Sequence, residues 1–169
     1  MNYSFSHFQI ADDMINHLDS VVVDIEDPFI ASRYVGFVSV AAVSVFELSI
    51  KDIFIEFAKK KNSVFGEYTS NHFKRINGRI KLDNIRNDYV KKFGNKYLTR
   101  FNTKLEHFEN ETLRLEGQSI KTAYSSLIEI RNSFAHAGIV ANTVTYREIV
   151  IYYNIGKKMI KCLEETMVR

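Results

Sequence analysis

The only proline of the chain, Pro28, stands directly after Asp27. An aspartate is a helix N-cap acceptor, and proline fits the first helical position. From there to Lys61 only Gly36 weakens the helical pattern. The spacing predicts one continuous helix, roughly 50 Å long at 1.5 Å per residue. Its most apolar run, Val35 to Phe46, is apolar nearly all round, so other elements must enclose it. Twelve residues are too few to span a bilayer, and the run reads as the centre of a bundle. The second half turns amphipathic and ends at Lys59-Lys60-Lys61. One proline and seven glycines in 169 residues also leave little material for a many-turned β architecture.

The remaining segments are helical in period. A first amphipathic helix is expected from near Ser6 to Asp24, with Phe8, Ala11, Ile15, Leu18 and Val22 on one side. Shorter helices are expected near 66–77, 82–93 and 95–113, broken at Gly78, Gly94 and Gly117. Another runs from about Gln118 to His136, with Gly138 placed as its left-handed cap. After a loop from Ile139 to Val144, Thr145-x-x-Glu148 reads as a capping box, and a last helix follows over 146–168. The expected fold is all-α: a single domain over 1–169, a bundle of four to six helices around a long second helix.

The segment before Gly138 holds the chemistry. Ile120, Ala123, Tyr124, Leu127 and Ile128 form a buried stripe, whose next positions are 131, 134 and 135. Phe134 and Ala135 fit it, but Arg131 does not. A guanidinium there needs a carboxylate partner or a wet cleft. Glu47, the first acid after the apolar run, is one candidate partner. His136 follows five residues later, where a cation also suits the helix dipole.

Charge is uneven. Residues 72–100 carry Lys74, Arg75, Arg79, Lys81, Arg86, Lys91, Lys92, Lys96 and Arg100 against Asp83 and Asp88. This stretch is either a solvated basic face or a polyanion-binding surface, with Lys74, Arg75, Arg79 and Lys81 as the candidate RNA contacts. Phe73, Tyr89, Phe93, Tyr97 and Phe101 interleave with these cations. They stack on bases in one reading, and pack the core in the other. Tyr146, Tyr152 and Tyr153 belong to the core or to a dimer interface. Cys162 is the only cysteine, and His7, His17, His72 and His107 lack metal-ligand spacing, so no metal or other cofactor is expected. No N-terminal signal sequence is evident, and the expected location is cytoplasmic, without a membrane partner.

The stretch Leu127 to Gly138, with Arg131-Asn132 and His136 at a helix end, resembles the signature of the HEPN superfamily. Phe46-Glu47 on the long second helix and the amphipathic closing helix are similar too, and the RiboL-PSP-type HEPN domains are the nearest subgroup. The resemblance implies a homodimer with a metal-independent endoribonuclease site where two motifs meet. Arg131 and His136 would be catalytic, with Asn132 and Glu47 assisting. It further implies a toxin, abortive-infection or antiviral defence setting, with a neutralising antitoxin or a trigger protein as partner. Some toxin members carry a tyrosine two residues after the histidine; Gly138 stands there, which argues against variants that depend on it. The alternative is a catalytically silent helical module that binds a protein, nucleotide or RNA.

Such a site has a chemical logic. RNA is cut without a metal when its own 2′-hydroxyl attacks the adjacent phosphorus. Histidine exchanges the protons near neutral pH, and arginine presents a planar fork to phosphate oxygens. Residues five apart on a helix diverge by about 140°, while Asn132 and His136, four apart, share a face. A single chain combines them only if Arg131 reaches round or the helix loosens at its end; two chains meeting at these helix ends would supply all three groups to one cleft.

Overall fold

The computed structural model describes residues 3–22, 25–138, 140 and 144–167, and of residues 3–5 only the backbone. The α-helices are α1 (Tyr3–Val22), α2 (Pro28–Lys61), α3 (Ser63–Phe73), α4 (Asn95–Glu116), α5 (Ile120–Ala137) and α6 (Tyr146–Met167). Between α3 and α4, Asn84–Tyr89 form a wide π turn that tightens into a 3₁₀ turn over Val90–Phe93. The described residues contain no strand. Asp24 and Val168, the expected ends of the first and last helices, lie outside the described residues, as do four residues of the expected 139–144 loop.

Helix α2 organises the bundle. The Asp27 carboxylate accepts from the amides of Phe29 (2.8 Å) and Ile30 (3.4 Å), fixing its start. The helix is long and apolar enough to cross a membrane by length and composition. Here it packs against α1, α3, α5 and α6. Its Phe46 ring lies between Tyr124 of α5 and Tyr153 of α6, stacked on each at 5.7 Å, with Phe8 of α1 edge-on at 6.0 Å. The burial of each such ring contributes about 1.5–3 kcal/mol. Gly156 makes this stack possible, because a Cβ there would lie 2.9 Å from the Phe46 ring.

Helix α5 starts at Ser119, whose Oγ accepts from the Thr122 amide (3.0 Å). The buried Glu109 of α4 locks this start, accepting from Ser119 Oγ (2.6 Å) and the Lys121 amide (3.1 Å). The helix ends at Gly138 with φ +65°, whose amide donates to Phe134 O. At α6, Thr145 and Glu148 form the reciprocal capping box: the Thr145 amide donates to Glu148 (2.8 Å) and the Glu148 amide to Thr145 Oγ1 (3.2 Å).

Two expectations change. The middle of the chain is less regular than its apolar period suggests: α3 stops at Phe73, and a turn of two left-handed residues, Asn77 (φ +36°) and Gly78 (φ +78°), follows. The buried face of α5 stops at Ile128. Ala135, expected on the buried stripe, is exposed and Phe134 is half-buried. The periodicity continues, but the bundle that would cover it does not; the last turns of α5 overhang the core.

Candidate active site

Overhang and close packing together place the motif. Phe134 is the anchor: it lies against Gly36 of α2, where any Cβ would collide with its ring, and meets Phe37 edge-on at 5.6 Å. Arg33, one turn earlier on α2, donates from Nη1 to the Gly138 carbonyl, while its guanidinium covers the Phe29 ring at 4.4 Å. The carbonyl end of α5 therefore carries a cation, which suits its dipole. His136 projects from this end, exposed to solvent.

Arg131 points elsewhere. Its guanidinium lies on the α-carbon of Gly78, so close that a Cβ there would sit 3.0 Å from Nη2 and 3.2 Å from Nη1. The side chain is half-buried, and its Nε is fully buried with no hydrogen-bond partner in the structure. No carboxylate pairs with it among the described residues. A half-buried, unpaired guanidinium is held at a cost that an anion can relieve.

The seat for this guanidinium is clamped by three side chains. Glu47 accepts from the Gly78 amide (2.7 Å), and its other oxygen accepts from Lys51 (2.6 Å). Tyr89 donates to Arg79 O (2.8 Å), and the buried Tyr124 donates to Ile80 O (2.6 Å). Burial pushes the Tyr124 hydroxyl well above its ordinary range, against an opposing pull from Arg131, and burial raises Tyr89 as well. Both phenols thus remain donors at neutral pH. Consecutive residues 78–80 are fixed by α2, by the π turn and by α5. Glu47 touches the turn under Arg131 and makes no ion pair with Arg131 among the described residues.

The candidate residues do not all meet within one chain. Arg131 faces the 78–80 turn, and the half-buried Asn132 and the exposed His136 share the other side of α5. No hydrogen bond or ion pair joins the three among the described residues. Lys74, Arg75, Arg79 and Lys81 are all exposed. Arg75 and Arg79 line one cavity between α3 and the π turn, while Lys81 lines another with Asp83 and Glu129, and Lys74 contacts Asn71. Of the interleaved aromatics, Phe73, Tyr89 and Phe101 are buried, and Phe93 and Tyr97 are partly so. Tyr153 is buried, and Tyr146 and Tyr152 are half-buried. Sequence reasoning missed the Gly36–Phe134 contact and the outward-facing Phe65 and Tyr68 of α3. The signal for the latter was present: apolar side chains three apart beside Gly66, on a helix too short to bury every face. Among the described residues no group of three His, Cys, Asp or Glu side chains is placed to hold a metal ion.

Comparison with known proteins gives one family. The family model described as RiboL-PSP-HEPN matches residues 6–169. No curated protein and no solved structure matches the chain.

Proposed function

The chain belongs to the RiboL-PSP-HEPN family, and from that premise we propose that it is a metal-independent endoribonuclease of single-stranded RNA whose site is shared between two copies. The observation that carries this reading is the Arg131 guanidinium: half-buried, seated on Gly78 and lacking a carboxylate among the described residues. It is arranged to receive an anion. In the reaction, His136 takes the proton of the ribose 2′-hydroxyl, whose oxygen forms a bond to phosphorus. The bond from phosphorus to the 5′-oxygen breaks, and a protonated His136 of the second copy gives that oxygen its proton. Arg131 stabilises the charge on the phosphorane, and Asn132 orients the phosphate or the imidazole. The products are a 2′,3′-cyclic phosphate and a 5′-hydroxyl.

The dimer is supported by the outer face of α2. Ile30, Phe37, Val40 and Leu48 are exposed there, Phe37 by 52 %, and Phe37 meets Phe134 near the end of α5. Pairing two copies through this face covers these side chains and brings both His136 residues toward a common cleft. The setting that fits is cytoplasmic defence, as a toxin or abortive-infection effector restrained by an antitoxin or released by a trigger. The test is incubation of the purified protein with mixed RNA in EDTA, followed by analysis of product ends. Cyclic phosphate ends that vanish with Arg131→Ala and with His136→Ala support the reading; intact RNA, or equal cleavage by both variants, overturns it.

A further inference from the structure

Away from the motif, α3 and the 84–93 segment enclose a groove. One part, about 270 Å³, is lined by Phe65, Tyr68, His72, Phe73, Tyr89 and Phe93 among others. A second part, about 310 Å³, shares His72, Asp88, Tyr89 and Lys92 with it and adds Arg75 and Arg79. The floor is a fixed aromatic array: Phe54 stacks on Phe73 at 4.8 Å and on Phe93 at 5.2 Å, and Phe65 tilts onto Phe93 at 5.7 Å. Above it Tyr68 is 70 % exposed and Phe65 37 %. The rim holds Arg75, Arg79 and Lys92 against Asp88, whose carboxylate is already engaged by Asn84 (2.8 Å) and Arg79 (3.4 Å). Arg79, which lines this cationic end, follows Gly78, the seat of the Arg131 guanidinium, directly in the chain.

We infer that this groove is a nucleobase-binding subsite for single-stranded RNA. Tyr68 and Phe65 stack on one or two bases, and Lys92, Arg75 and Arg79 track the phosphates toward Arg131. Exposed rings beside a row of cations are the pairing that holds a single strand: stacking accepts any base, and the cations follow the backbone. A purely apolar partner would desolvate Arg75 and Lys92 without supplying them an anion. The subsite extends the ribonuclease reading, on which it rests for the choice of RNA as ligand.

The test separates the two. A fluorescein-labelled 2′-O-methyl adenylate oligomer of roughly ten nucleotides, within the span of single-strand sites, lacks the attacking hydroxyl, so its binding is read without cleavage. Anisotropy with the full chain should show binding, and an abasic oligomer of equal length should bind at least about fivefold more weakly. Tyr68→Ala, at an exposed position that leaves the core untouched, should weaken binding about five- to a hundredfold, the effect of losing one stacked base, and Tyr68→Phe should restore it. Arg75→Gln with Lys92→Gln should flatten the salt dependence. Equal affinity for the abasic oligomer, unchanged binding by both Tyr68→Ala and Phe65→Ala, or no binding at low salt overturns the subsite, whatever the fate of cleavable RNA.

Discussion

The guanidinium of Arg131 rests on the α-carbon of Gly78, in a space that no other residue type leaves open. Gly78 also has φ +78°, a conformation L side chains rarely adopt. Gly78→Ala therefore introduces backbone strain and displaces the guanidinium together. Denaturant titration should show a loss of about 1–2 kcal/mol, and RNA cleavage should fall although residue 78 carries no reacting group. Wild-type stability in Gly78→Ala contradicts this geometry.

Arg131 itself should contribute little to stability. With no ion pair among the described residues and a buried, unpartnered Nε, Arg131→Ala should change unfolding free energy by no more than about 1 kcal/mol. Cleavage should drop by about 10²-fold or more. Arg131→Lys keeps the charge and loses the planar fork, so it should not recover wild-type rates. Thermal melts alongside cleavage assays check both.

The overhanging end of α5 is held by the contact of Phe134 with Gly36. Gly36→Ala overpacks it and should destabilise by about 1–3 kcal/mol. Adding Phe134→Leu should return part of that loss, a non-additivity read from a double-mutant cycle. Additive losses would separate the two residues.

The α2 stripe tests the shared site. Ile30→Lys with Val40→Lys, both at exposed positions, should leave helical content intact, yield monomers by sedimentation and abolish cleavage. A monomeric variant that cuts RNA at the wild-type rate removes the two-copy mechanism.

Cys162 reports on pH. Burial pushes its thiol up to about 12, whereas an unfolded thiol titrates near 8.5. The folded state thus holds this proton more tightly than the unfolded one. Its contribution is fully present below about pH 8.5 and is lost as pH rises toward 12. Alkylation by iodoacetamide at pH 8 should be slow in native buffer and fast in denaturant, and Cys162→Ala should flatten the alkaline loss of stability.

Much of this arrangement was legible in the sequence wherever one short-range rule governs it. Asp27-Pro28, Thr145 with Glu148, and Gly138 each mark a helix end by local hydrogen bonding or a left-handed φ, and the structure has all three. The family was legible from Arg131, Asn132 and His136 at a helix end. Where α5 leaves the bundle was not, since an apolar period carries no information on how far neighbouring helices reach; Ala135 is the residue misplaced for that reason. The break at Gly78 was legible, but what anchors the turn at 77–80 was hidden. Its hold on the chain comes from Glu47, Tyr89 and Tyr124, which no spacing rule links to it.

That three-way hold has a bearing on when the molecule becomes competent. Glu47 is made early, Tyr89 midway and Tyr124 late in synthesis, and the resting place of Arg131 exists only once all three have docked. A chain truncated before its fifth helix carries Glu47 and Tyr89 but lacks both Tyr124, the third clamp, and Arg131 itself. The guanidinium and the last clamp of its socket thus arrive together on one helix.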